Sequence, residues 1–107
     1  MRVVLCTTPP AQAETVARAV VESRVAACAS IIPAVRSVYR WRGKVEHETE
    51  SLLVIKTTEE RVEALIARIR EVHPYEVPEI IALPIDQGLP AYLDWVREQT
   101  TDRGAEP

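Results

Sequence analysis

The stretch His73 to Ile80 reads HPYEVPEI and places one imidazole, one phenol and two carboxylates within eight residues. Residue types like these suit three kinds of chemistry. His73, Glu76 and Glu79 offer nitrogen and oxygen donors to a metal, although a proline interrupts the set. His73, Tyr75 and Glu79 are groups that exchange protons in acid–base catalysis. Tyr75, Glu76 and Glu79 are also suitable cleft ligands for a small molecule. Pro74 and Pro78 fix two φ angles, so the segment loses little entropy when it orders. That stiffness suits side chains held in a cleft, and it suits a plain turn equally well.

Three further residues carry chemistry. Cys6 lies in an apolar run and reads either as a small buried hydrophobe or as a soft metal ligand. A thiolate with an imidazole is a suitable donor pair for Cu(I). Lys56 precedes Thr57 and Thr58, and at the end of its strand it is a partner for Glu79, as an ion pair or around a bound anion or metal. Cys28 reads as core. The two cysteines form no CxxC, so free thiols in a reducing compartment are expected. His73 follows a helical stripe whose C-terminal partial charge favours an imidazolium, and it doubles as a helix-end cap. No dinucleotide fingerprint, phosphate loop, nucleophile elbow or HExxH motif occurs, and no serine stands beside a base. An enzyme is therefore not expected.

The composition narrows the classes. The chain has 107 residues, 47% of them apolar and 27% charged, with a net charge of −3. One domain, 1–100, with a disordered polar tail, 101–107, is expected. The charge gives no nucleic-acid footprint. No apolar run approaches the ~20 residues of a membrane span. The apolar stretch before Thr7 is too short for a signal peptide, so the expected location is cytoplasmic.

The elements that must position these residues follow from periodicity. Val3, Val4 and Leu5 read as a buried strand from Arg2 to Thr7. Ala13, Val16, Ala17 and Val20 share one helix face. Ala26 to Arg42 is extended, interrupted at Pro33. Gly43-Lys44 marks a turn, and Val45 to Lys56 is a second long strand. Thr57 and Glu60 have capping-box spacing. Val62, Leu65, Ile66, Ile69 and Val72 form a helix that stops before His73-Pro74. Glu79 to Leu83 is a short strand, and Pro90 opens a last helix with Leu89, Tyr92, Leu93 and Val96 on its apolar face. The order βαββαβ plus a helix predicts an α+β, ferredoxin-like split βαβ sandwich. Strands one and three should be central, and both main helices should cover one sheet face.

The seventeen residues from Ala26 to Arg42 would span roughly 50 Å as one strand, against a domain diameter of about 35 Å. The hairpin must bend at Pro33, project, or both. A projecting ribbon needs a partner surface. Arg36, Arg40 and Arg42 share one parity and Tyr39 and Trp41 the other. Pairing the arginines with Glu46, Glu48 and Glu50 requires an odd loop, at ~0.2–1 kcal/mol per cross-strand pair. The aromatic face is then left to be buried in an oligomer, with Tyr39 and Trp41 at the interface.

AACASIIP (26–33), YRWRGKVE (39–46), VIKTT (54–58), HPYEVPEI (73–80) and LPI…YLDWV (83–96) together resemble the CutA family of divalent-cation tolerance proteins, from Val4 to about Gln99. The resemblance implies a cytoplasmic homotrimer of ferredoxin-like subunits, linked to tolerance of copper and other divalent metal ions, with no established catalysis. It also implies a likeness in build to PII signalling proteins, hence the alternative of a small-molecule module that uses intersubunit clefts. Copper ligands are implied at Cys6 and at His73. Val72 stands where the family pattern has a further histidine, so one donor is missing and weak metal binding is expected.

Overall fold

The computed structural model describes residues 1–101, so the tail expected to be disordered lies outside the described residues except for Thr101. The chain runs β1 (Arg2–Thr8), α1 (Ala13–Glu22), β2 (Cys28–Trp41), β3 (Lys44–Thr57), α2 (Val62–Val72), β4 (Ile80–Pro84) and α3 (Pro90–Gln99), with short 3₁₀ turns ahead of α1 and α2. The strands form one sheet in the order β2-β3-β1-β4, and every pairing is antiparallel. This is the ferredoxin-like order, with β1 and β3 central.

Strand pleating divides the sheet into two unlike faces. Val4 and Cys6 of β1 pair with Ile55 and Leu53 of β3, so all four point the same way. They are fully buried and meet Val16 and Val20 of α1 and Leu65 and Ile69 of α2. The i, i+4 spacing within each helix supplies these contacts. The opposite face carries Leu5, Ile32, Leu52, Val54, Ile81 and Leu83. Neither α1 nor α2 covers it, and Ile81 remains 50% and Leu83 43% exposed.

The helix ends hold one correction. The T-x-x-E spacing does not form a capping box. Thr57 is the last residue of β3, fully buried, and its hydroxyl donates to the Val25 carbonyl at 2.7 Å. The extended residue ahead of the α2 segment is Thr58, and its side chain makes no capping bond. α2 ends at Val72 as expected, and His73 is extended at φ −83°, ψ 135°, because the following proline excludes the α region.

β2 and β3 are 14 residues each, and the molecule measures 46 × 31 × 21 Å. The ribbon bends at a bulge between Ile32 and Val35, with Ala34 at φ 62°. Its register overturns the expected odd loop. Trp41 pairs with Lys44, so Arg42 and Gly43 alone make the turn, at φ 52° and 81°. Two consecutive positive φ values define the type I′ turn whose twist matches paired strands. Val35, Ser37 and Tyr39 therefore face Glu50, Glu48 and Glu46, while Arg36 faces Thr49 and Arg40 faces Val45. The glutamates share the aromatic face, and His47 lies on the other, opposite Val38.

Gly43→Ala should lower stability by about 1–2 kcal/mol, the cost of a left-handed non-glycine residue. A Cβ there meets nothing within 4 Å, so the loss is conformational. Urea unfolding should show a lower midpoint with an unchanged slope. An unchanged midpoint would mean that the turn is not held in this form.

Candidate functional site

The connection from α2 to β4 is tied to the sheet by a chain of hydrogen bonds. His73 Nε2 lies 2.8 Å from the Thr7 carbonyl oxygen. A carbonyl only accepts, so Nε2 carries the proton. Nδ1 is then the acceptor, and the Tyr75 backbone N–H donates to it at 3.1 Å. The His73 and Tyr75 rings stack at 4.8 Å, tilted by 50°. The Tyr75 hydroxyl donates to Glu50 Oε2 at 2.8 Å. The chain thus joins β1, the HPYEVPEI loop and β3.

The electrostatics follow from burial and from the glutamates. Glu50 is only 6% exposed. Burial, then the hydrogen bond to Glu50, then the charges of Glu50 and Glu48 push the Tyr75 phenol well above its ordinary value. Tyr39 is raised too, first by its hydrogen bond to Glu48 and then by burial and the charges of Glu48, Glu46 and Glu50. Both phenols therefore stay protonated and act as donors. Tyr39, Trp41, Glu48, Tyr75 and Glu76 line a cavity of about 340 Å³ between the ribbon and the loop. A neighbouring cavity of about 470 Å³, bordered by Arg36, Glu50 and Glu79, shares Tyr39 and Tyr75.

The residues expected at the site divide into two groups. Tyr75 and Glu76 line the first cavity with Tyr39 and Trp41, whereas Glu79 borders the second, which shares Tyr39 and Tyr75. Lys56 lines neither. It pairs with Val3, whereas Glu79 precedes Ile80, which pairs with Cys6 three residues further along β1. Lys56 Nζ instead donates to Ser30 Oγ at 3.1 Å and approaches the Val54 carbonyl at 3.4 Å. Glu48, Glu50 and Thr7 were not anticipated. Glu50 was legible in principle, as the last of the alternating glutamates before the apolar run Leu52–Ile55.

The structure brings His73 to Thr7, next to Cys6, within one chain. The two side chains nevertheless do not fit a resident copper ion in this arrangement. Cys6 is fully buried on the helix-covered face. Burial above all, then the charges of Glu79 and Glu50, push its thiol up to about 12. Both ring nitrogens of His73 are occupied. No group of three or more His, Cys, Asp or Glu able to hold a metal ion occurs among the described residues.

Comparison with known proteins adds a family. The profile of the CutA1 divalent ion tolerance protein matches residues 2–99. The divalent-cation tolerance protein CutA of Thermus thermophilus is 50% identical over 99 residues, covering 92% of this chain and 96% of that one. Protein CutA of Mus musculus is 53% identical over 88 residues, 82% of this chain, and the matched region is 50% of the mouse protein. The chain thus spans about half the length of that relative. Among solved structures, the Thermus protein superposes with a TM-score of 0.91 at 50% identity, over 94% of this chain and 100% of that one. A protein from Nostoc described as PII-like CutA in apo form gives 0.89 at 38% identity, over 94% and 98%.

The raised thiol predicts two behaviours. In the native protein at pH 8, iodoacetamide should modify half-buried Cys28 and leave Cys6 intact until denaturant is added. Between pH 9 and about pH 12, the unfolded chain ionises Cys6 while the native chain keeps its proton. The unfolded state then binds fewer protons, so stability falls as pH rises through this window. Cys6→Ala should flatten that part of a stability–pH curve. A parent and variant with equal alkaline slopes would contradict the assignment.

Proposed function

The chain belongs to the CutA1 divalent ion tolerance family, and from that premise we propose that it acts as a cytoplasmic homotrimer in divalent-cation tolerance, without catalysis. The family's names describe a tolerance protein rather than an enzyme. No described helix is long and apolar enough to cross a membrane. The two free cysteines accord with a reducing compartment.

The observation that carries the reading is the open sheet face. Leu5, Leu52, Val54, Ile32, Ile81 and Leu83 form one apolar surface that neither α1 nor α2 covers. Tyr39 and Trp41, 37% and 45% exposed, extend it along the ribbon. An apolar surface of this kind is buried most simply against copies of itself, in a closed cyclic assembly. Three subunits, sheets inward and ribbons overlapping their neighbours, satisfy that requirement. The experiment is sedimentation at micromolar concentration. One species near three chains is expected. Ile81→Glu and Trp41→Ala should each shift it toward monomer at protein concentrations where the parent stays assembled. A parent that sediments as a monomer overturns the reading.

Copper(I) is the cargo proposed, with Cys6 and His73 as its donors. Binding through them requires a deprotonated Cys6 and a His73 released from Thr7 or Tyr75, which makes it weak. Val72 removes the further donor. Native mass spectrometry with and without Cu(I) compares the parent, Cys6→Ser and Val72→His. Copper retention should fall in the second and rise in the third. Unchanged retention in Cys6→Ser eliminates this pair as the site.

A second reading, a PII-like small-molecule module, is favoured by the cavity of about 340 Å³ between the ribbon and the loop. Its walls come from two elements that a ligand would bridge.

A further inference from the structure

We propose that the cavity between the ribbon tip and the HPYEVPEI loop binds a small organic ammonium ion, held against Tyr39, Trp41 and Tyr75 by the carboxylates of Glu48 and Glu76. The proposal rests on the small-molecule reading of this cleft and names the class of ligand.

Four observations carry it. The first is the wall chemistry. Three aromatic residues and two carboxylates line one cavity of about 340 Å³, at the small end of the range for ligand pockets. Aromatic faces attract cations through their quadrupole, and carboxylates add the net charge. The second is a cation already over one of the aromatic rings. The Arg42 guanidinium carbon lies 5.5 Å from the Trp41 ring centroid, so this indole accepts a cationic group in the folded chain.

The third is uncompensated charge. Among the described residues, Glu48, Glu50 and Glu76 make no ion pair. Glu50 stands behind the aromatic wall, 6% exposed, with the neutral Tyr75 hydroxyl as its hydrogen-bond partner. A buried carboxylate answered only by a hydroxyl raises the affinity of the neighbouring space for a cation. Arg36 borders the adjoining cavity but pairs with neither Glu50 nor Glu79.

The fourth observation is the shortage of hard donors. Calcium and magnesium take six or more oxygens, mainly carboxylate, carbonyl and water. The cavity offers two carboxylates among aromatic and apolar walls. An alkylammonium, with its charge spread over an apolar skin, matches that lining better than a hydrated metal ion. The loop is also set in advance. Proline constrains it, and Tyr75 is bonded through both its backbone N–H and its hydroxyl. Little ordering is then left for the ligand to drive.

The test is calorimetry on the assembled protein with choline chloride and with its uncharged isostere 3,3-dimethylbutan-1-ol, at matched ionic strength. Choline should bind about tenfold or more tightly than the isostere. Glu76→Gln, on the loop surface, and Trp41→Leu should each weaken choline several-fold and leave the isostere unchanged. Because Trp41→Leu also disturbs the ribbon, Glu76→Gln is the deciding variant. Equal binding of choline and the isostere overturns the ammonium proposal and leaves the small-molecule reading standing. Binding of neither overturns both. Choline binding that Glu76→Gln does not change places it elsewhere and overturns the proposal.

Discussion

Two consecutive positive φ angles, at Arg42 and Gly43, decide which way every side chain on the ribbon points. A strand's side chains alternate, so a change of one residue in the turn moves each of them to the other face. The tight type I′ turn is favoured by the right-handed twist of the strands. Cross-strand pairing of arginine with glutamate would have been satisfied by a loop of odd length, but exposed pairs of that sort contribute only about 0.2–1 kcal/mol each. The backbone preference prevails. Glu46, Glu48 and Glu50 therefore share a face with Tyr39 and Trp41 and are carried to the same side as the HPYEVPEI loop. The acidic, aromatic character of the cleft is a consequence of turn geometry.

The loop answers that face with rigidity. His73 is extended because Pro74 follows it, and its imidazole is thereby free to span the Thr7 carbonyl and the Tyr75 amide. Neutral hydrogen bonds of this kind contribute about 1 kcal/mol each, and one to a carboxylate about 1.5–3. The Tyr75–Glu50 bond is of the stronger kind. The same bonds explain why Cys6 and His73, neighbours in space, are poor metal ligands as they stand. A ligand needs an unoccupied lone pair and, for cysteine, a lost proton. Here the lone pair of Nδ1 is used, and the thiol sits in the core among Val4, Leu53 and Ile55.

The sheet sets a second constraint. Helices α1 and α2 both lie on one face because each βα unit crosses over in the same right-handed sense. Their burial accounts for the core, but it leaves Ile32, Ile81 and Leu83 exposed on the opposite face. The ribbon continues that face beyond the body of the domain, over a molecule 46 Å long. Assembly would complement a fold whose two main helices, α1 and α2, lie on one side. The cleft, at the junction of open face and ribbon, lies where subunits would meet.

Much of this was legible in the residues. The continuous apolar run at Val3–Leu5, the period-3.6 stripes at Ala13–Val20 and Val62–Val72, and the prolines at positions 74 and 90 determine the elements and their order. Element order together with crossover handedness determines the sheet topology. HPYEVPEI marks the site through its stiffness and polar density. The structure decided the rest because those relations join residues distant in sequence. Thr57 and Glu60 had the spacing of a cap, but Thr57 found the Val25 carbonyl. Lys56 and Glu79 had opposite charges, but antiparallel pairing on the two sides of β1 set them apart along the sheet. Glu50 looked like one more exposed ribbon glutamate, and it became buried because Tyr75, twenty-five residues later, folds back over it. Local periodicity is written in neighbouring residues, whereas the partner of a buried polar group is determined only once the chain has closed on itself.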